Sequence, residues 1–327
     1  MTAGAKNAIT DVPGIKVGHA TDSACRTGVT LVLPERACVA AADVRGGGPG
    51  TRETDALALT GLVGMVDAIV LSGGSVYGLG AADAVAAALG AQRRGFSLVA
   101  DAAVPVSPIV PAAILYDLNN GGNKAWGETP PYAHLGRGAL AAVGDGSEVG
   151  AIGAGTGARA GAHPGGLGTA SIKLAEGWTV GAIVAVNSFG SPYVPGTRQF
   201  WSAPFELGAE FGGRGVASAS GITGMPPDTK LAGRSRENTT IAVIATDAPL
   251  SRADCQRVAI MAQDGLARAI RPIHAPTDGD TIFALSTAEA AATPLNTLGV
   301  LEIGNAAADV LARAVARGVF AAEAVPA

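Results

Sequence analysis

A chain of 327 residues accommodates one large α/β unit or two smaller domains, and with 48% hydrophobic residues, only 4% aromatic and 47 glycines its core must be built from closely packed Ala, Val, Ile and Leu. A net charge of −4 without a basic cluster excludes the electrostatic footprint of a nucleic-acid-binding protein. Nothing reaches the ~18 uninterrupted apolar residues of a membrane span, and Lys6 and Asp11 interrupt the start, so no membrane association and a cytoplasmic setting are expected.

In chain order, Val29-Thr30-Leu31-Val32-Leu33, between Gly28 and Pro34, reads as a buried strand. The glycine loop Gly46-Gly47-Gly48-Pro49-Gly50 separates it from a second strand, Ala68-Ile69-Val70-Leu71. The Ala-rich run Ala81 to Leu89 predicts a helix and Ser97-Leu98-Val99-Ala100 another strand, while Gly138 to Val143 is too short for its periodicity to decide. A polar loop, Asn119-Asn120-Gly121-Gly122-Asn123, follows Tyr116, and the glycine density from Gly153 to Gly168 demands turns or close backbone approaches. Trp178 to Val186 reads as a strand ending at Asn187, well placed to project into a site. Gly221 to Glu237, with Pro226-Pro227-Asp228 and three basic residues, reads as an exposed connector. Beyond it, Ile241-Ala242-Val243-Ile244-Ala245 is a continuous apolar run. Ser251 caps a helix from about Arg252 to Ile270, where Gly265 would let a neighbour approach closely and Pro272 ends the element. Thr281-Ile282-Phe283-Ala284-Leu285 forms a strand after the turn Asp278-Gly279-Asp280, and Leu298 to Val319 supports a last helix.

The dipeptide Asn238-Thr239 carries the most chemistry. Cleavage between the two residues would leave Thr239 as an amino terminus, whose α-amine titrates near pH ~7.7–8.0 and can take the hydroxyl proton without a histidine. Self-processing needs a polarised peptide and an oxyanion donor. Asn187 offers an amide donor, Tyr116 a phenol, and Asp278 and Asp280 could place carboxylates near the new ammonium.

Competing motifs are weaker. Asn238-Thr239-Thr240 matches a glycosylation sequon but lacks a secretory signal. Cys25, Cys38 and Cys255 are odd in number and widely spaced, and His19, His134, His163 and His274 form no metal-binding spacing, so no metal or cofactor is expected. Gly153-Ala154-Gly155-Thr156-Gly157 lacks the Lys and Ser/Thr of a phosphate loop, and Ser75 in Gly73-Gly74-Ser75-Val76-Tyr77 lacks the second glycine of a nucleophile elbow.

Several segments together resemble one family. They are Ile9-Thr10-Asp11-Val12-Pro13-Gly14-Ile15-Lys16-Val17-Gly18-His19, Pro49-Gly50-Thr51-Arg52-Glu53-Thr54-Asp55, Ser72-Gly73-Gly74-Ser75-Val76-Tyr77-Gly78-Leu79, Ile109-Val110-Pro111, Gly165-Gly166-Leu167-Gly168-Thr169-Ala170-Ser171, Asn238-Thr239-Thr240-Ile241 and Asp278-Gly279-Asp280-Thr281. In this order they resemble the self-processing aminopeptidases typified by DmpA, a family that includes β-peptidyl aminopeptidases and the nylon-oligomer hydrolase NylC. The resemblance implies a single α/β domain, a four-layer α/β/β/α sandwich shared in outline with ornithine acetyltransferase. It also implies autocleavage into residues 1–238 and 239–327, which stay associated, and homo-oligomers of processed units. By position it makes Thr239 the nucleophile, Asn187 the oxyanion asparagine, Tyr116 a site tyrosine, and Asp278 and Asp280 acids near the nucleophile. Many relatives carry a lysine just before the Gly-Gly-Leu-Gly-Thr-Ala-Ser segment, where this chain has Pro164, and Lys173 is the next lysine along. The expected function is hydrolysis of small peptides, amino-acid amides or aminohexanoate oligomers through an acyl-threonine. The alternatives are acyl transfer to an amine, and a catalytically silent small-molecule binder.

Overall fold

The computed structural model describes residues 2–218, 221–230, 238–289 and 292–324. In chain order its strands are β1 (Ile15–Asp22), β2 (Thr27–Pro34), β3 (Cys38–Val44), β4 (Thr51–Arg52), β5 (Met65–Val66), β6 (Ile69–Ser72) and β7 (Ala112–Ile114), then β8 (Arg159–Ala160), β9 (His163–Pro164), β10 (Gly166–Lys173), β11 (Thr179–Asn187), β12 (Thr239–Thr246) and β13 (Thr281–Ser286). The helices are α1 (Gly80–Ala91), α2 (Tyr132–Ala141), α3 (Arg252–Ala269) and α4 (Thr297–Ala322). A five-stranded sheet runs β1-β2-β6-β7-β4 and a six-stranded sheet runs β10-β11-β12-β13-β3-β5.

Alternation of side chains along each strand explains why these sheets stack as the two inner layers of a sandwich. In β2, Val29 and Leu31 pack toward α1 and α2 with Val85, Leu89 and Leu135, while Val32 faces the other sheet. In β12, Ile241, Val243 and Ala245 meet that same inter-sheet core, and Ala242 and Ile244 turn outward to α3 and α4. Strands covered on both faces read as uninterrupted apolar runs, and the result is an α/β/β/α sandwich with three stacked cores.

With few aromatic side chains, the layers close by glycine. A Cβ on Gly168 of β10 would strike the Ala314 carbonyl of α4, and one on Gly265 of α3 would strike the Ala308 carbonyl of the same helix. The expected close approach at Gly265 is therefore observed. Ser251 caps α3 as expected: its hydroxyl accepts from the Asp254 amide at 3.2 Å, and the Asp254 carboxylate accepts from the Ser251 amide at 3.1 Å.

The undecided segment from Gly138 is the second half of α2, continued by a turn. The strand expected at Ser97–Ala100 is absent: Leu98 and Val99 are exposed, and Phe96 alone pairs briefly with Ser107. Gly95 in left-handed conformation before it and a turn built on Asp101 after it prevent the run from reaching a sheet. Among the described residues, no helix is long and apolar enough to cross a membrane.

Candidate active site

Strand register assembles the site. The last residue of β11, Asn187, lies opposite the first residue of β12, Thr239, in the antiparallel pair. On the other flank Asn238 bridges Asp278 in parallel, just before β13, and the Gly279 amide donates to the Asn238 carbonyl at 3.1 Å. One carboxylate-bearing turn, one strand start and one strand end are thereby brought within adjacent rungs of one sheet.

Thr239 is only 4% exposed, and its hydroxyl donates to the Asn238 carbonyl oxygen. Gly279 must be glycine here, because a Cβ would stand 2.7 Å from the Thr239 hydroxyl oxygen. The Gly46–Gly50 loop has a role that its composition alone leaves open. Cβ atoms on Gly46 and Gly47 would collide with the backbone at Asp278 and Pro276, and the Gly48 amide donates to the Asp278 carbonyl at 2.7 Å. The loop buttresses the acidic turn from outside.

Both acids of that turn are fully buried. Asp280 accepts from the Thr240 amide at 2.7 Å through one oxygen, and from the His274 amide at 3.1 Å through the other, which also contacts His274 Nδ1 at 2.8 Å. Asp278 accepts from the Ala275 amide at 2.7 Å through Oδ2, while its Oδ1 has no hydrogen-bond partner among the described residues. Burial, reinforced by the neighbouring Asp280 charge, pushes Asp278 up to about 7. His274 belongs to the site although no spacing in the sequence singles it out.

On the opposite side, Asn187 is held by its amide. Its Oδ1 accepts from the Arg159 amide at 2.9 Å and from Lys230 Nζ at 3.1 Å, and its Nδ2 donates to the Tyr116 carbonyl at 3.0 Å. Lys230 Nζ also donates to the Asn187 carbonyl at 2.9 Å and is only 6% exposed. An ammonium can only donate, so Lys230 settles which end of the amide is oxygen. Tyr116 contributes through its main chain and lines the adjoining cleft, a cavity of about 470 Å³ also walled by Asn119, Asn120, Arg159, Asn187 and Lys230.

The connector expected to be exposed over Gly221–Glu237 is so only in part: Gly221, Thr223, Gly224, Met225 and Pro227 are exposed, but Pro226, Thr229 and Lys230 are buried, and residues 231–237 lie outside the described ones. The reason is a set of ties that composition does not announce. The Asp228 carbonyl accepts from the Ala162 amide at 2.8 Å, its carboxylate accepts from the Ser191 hydroxyl and contacts His163 Nε2 at 3.3 Å, and the Lys230 amide donates to the Phe189 carbonyl at 3.1 Å. Proline and charge signalled non-repetitive backbone, which here runs into the interior. Lys173 is not a substitute at this site. It occupies the far end of β10, whose other end, Gly166, pairs with Val186 next to Asn187.

The rival motifs do not converge on chemistry. Ser75 has a left-handed backbone after β6, but among the described residues no hydrogen bond joins its hydroxyl to a base. The Gly153 and Ala154 amides, which a phosphate would need, donate to the Thr21 and Thr30 hydroxyls. Burial pushes the Cys38 thiol up to about 11 and also raises Cys255, which keeps both thiols protonated and unreactive. Among the described residues no group of His, Cys, Asp and Glu is arranged to hold a metal ion.

Two facing sheets between helix layers are the architecture of the Ntn-hydrolase fold, the fold of the solved neighbours given below. Residues 7–327 match Peptidase family S58, and the chain belongs to that family of amide-bond hydrolases. It is 46% identical to a Mycobacterium tuberculosis protein described as an uncharacterized aminopeptidase, over 98% of this chain and 95% of that one. It is 30% identical to a 6-aminohexanoate-oligomer endohydrolase of Agromyces sp., covering 92% of this chain and 81% of the other. Among solved structures, a Burkholderia sp. beta-aminopeptidase superposes with a TM-score of 0.70 at 26% identity, over 97% of this chain and 87% of that one. The L-aminopeptidase D-Ala-esterase/amidase of Ochrobactrum anthropi shares the fold with a TM-score of 0.71 at 24% identity, over 98% and 88%.

Proposed function

We propose that the protein is a self-processing amide hydrolase, cut between Asn238 and Thr239, that uses the freed Thr239 as its nucleophile. The observation that carries this reading is the Thr239 hydroxyl resting against the Asn238 carbonyl, whose oxygen already accepts the Gly279 N–H at 3.1 Å. In processing, the hydroxyl oxygen attacks the Asn238 carbonyl carbon, and the oxyanion that forms is stabilised by the Gly279 amide. The Thr239 nitrogen takes the proton given up by the hydroxyl and leaves, so the C–N bond breaks and an ester joins Asn238 to the threonine side chain. Water hydrolyses that ester, releasing a carboxylate at Asn238 and an α-amine at Thr239.

In turnover the neutral α-amine accepts the hydroxyl proton as the oxygen attacks a substrate amide. Asn187 then serves the oxyanion with an amide N–H, its orientation held by Lys230 and Arg159. The amine passes the proton to the departing substrate nitrogen, and water resolves the acyl-threonine by the reverse sequence. Asp278 and Asp280 hold the ammonium form in place between cycles. The substrates are small peptides, amino-acid amides or aminohexanoate oligomers, in keeping with the family and its named members.

The direct test is the mass of the purified protein under denaturing conditions. Two fragments ending at Asn238 and beginning at Thr239 are expected, and a lasting single chain that still hydrolyses amides overturns the reading.

A second expectation concerns pH in a chain that cannot be cut. The raised Asp278 means that the folded chain binds its proton more tightly than the unfolded chain, whose carboxyl titrates near its ordinary value of 3.8. Stability from this group is full below about pH 4 and is lost as pH rises through about 7. In an uncut Thr239→Ala background, thermal midpoints should therefore gain more from Asp278→Asn at pH 8 than at pH 5. An equal gain at both would show that Asp278 ionises normally.

A further inference from the structure

The walls of the cleft beside Asn187 have a charge opposite to that of the protein as a whole. It is continuous, through Asn120, Gly157 and Arg159, with a smaller recess lined by Arg26 and Thr156. Lys230, Arg159 and Arg26 line the two, and among the described residues no Asp or Glu does, although the chain carries a net charge of −4.

These cations are not equivalent. Lys230 is engaged with Asn187. Arg159 is anchored by its own amide on the Asn187 oxygen, so its Cα is fixed next to the reacting centre. Its side chain is exposed, makes only a long bond of 3.5 Å to the Ala162 carbonyl, and pairs with no carboxylate among the described residues. A planar guanidinium in that position, at the rim of a cleft whose described walls carry no acid, matches a carboxylate bidentately. Among the described lining residues there is no carboxylate to pair with a substrate ammonium.

We infer that the cleft is a carboxylate subsite, in which Arg159 recognises an acidic group on the amide substrate. This rests on the hydrolase reading above and narrows its substrate class to amides that carry a free carboxylate. The carboxylate belongs either to the acyl portion, as in an acidic aminoacyl amide, or to the departing amine, as in a short peptide with a free carboxyl terminus. Arg159 is a specificity residue here; it performs no step of bond cleavage.

The test uses the purified full chain and two isosteric pairs that differ only in carboxylate against carboxamide. Glutamyl and glutaminyl p-nitroanilides place the difference in the acyl portion, and alanyl-alanine and alanyl-alaninamide place it in the leaving amine. In one pair the acid should be favoured about tenfold or more in kcat/KM, the size of one charge-assisted hydrogen bond, mainly through KM. That ratio should fall as ionic strength rises, collapse toward one in Arg159→Gln, and recover in part in Arg159→Lys. Because the ratio is taken within one protein preparation, a loss of folded protein affects both members alike, and the salt titration of the unaltered chain gives an independent reading. Ratios near one in both pairs, or a ratio untouched by Arg159→Gln, overturn the inference while leaving the hydrolase intact. An absence of any amide turnover by cut protein overturns the hydrolase reading and this one with it.

Discussion

Replacing Thr239 by Ala is expected to leave a single uncut chain and to remove amide hydrolysis by roughly four to six orders of magnitude, the scale seen when a covalent nucleophile is deleted. On the proposed mechanism both losses have one origin, since the same hydroxyl would open the Asn238 carbonyl in processing and the substrate carbonyl in turnover. The fold should survive. Thr239 is buried at the beginning of β12, but its ladder partners bond through the main chain, and the change removes one methyl and one hydroxyl. Thr239→Ser separates the two contributions of the side chain: the hydroxyl remains, while the β-methyl that restricts its rotation is lost. Cleavage and turnover by the serine variant should be slower but present. A cut chain in Thr239→Ala, seen by mass, would place the nucleophile elsewhere.

Asn187→Ala carries the second largest expected effect, a fall in kcat of about 10²–10³, as for other single oxyanion donors. KM should move less, because the donor acts on charge that develops during the reaction. The substitution also strips the Arg159 amide of its acceptor and takes the Oδ1 contact from Lys230, leaving its bond to the residue 187 carbonyl. Asn187→Asp distinguishes these losses. It keeps an oxygen for Arg159 and Lys230 but has no N–H, so a fall as deep as that of alanine assigns the effect to the missing donor. Activity near that of the unaltered protein in either variant, measured as initial rates, would remove Asn187 from the oxyanion role.

The inner layers of the sandwich were legible because central strands covered on both faces read as apolar runs: Val29–Leu33, Ile241–Ala245 and Thr281–Leu285 all lie within strands of the two sheets. A strand's end is a definite place, so Asn187 and Thr239 could be located before their pairing was known. Ser97–Ala100 shows the limit of the same cue, since a short apolar run does not say whether a sheet edge lies within reach. The cleft walls were less legible for a physical reason. Lys230 and Arg159 sit on irregular backbone or a two-residue strand, where no periodicity points a side chain inward, and their burial or aim depends on contacts such as Asp228 with Ser191 that are remote in sequence. His274 joins Asp280 through a turn whose geometry, rather than its spacing, makes the contact.

The place of β12 between β11 and β13, in the middle of the six-stranded sheet, has a thermodynamic consequence once the chain is cut. The proposed terminus at Thr239 would open a strand that is laddered on both sides, so a nick there would change connectivity without creating a free edge. Folding, however, changes molecularity. An uncut monomer melts at a temperature independent of its concentration, whereas a chain cut as proposed would be an obligate pair of polypeptides whose reversible midpoint would rise as the protein is concentrated.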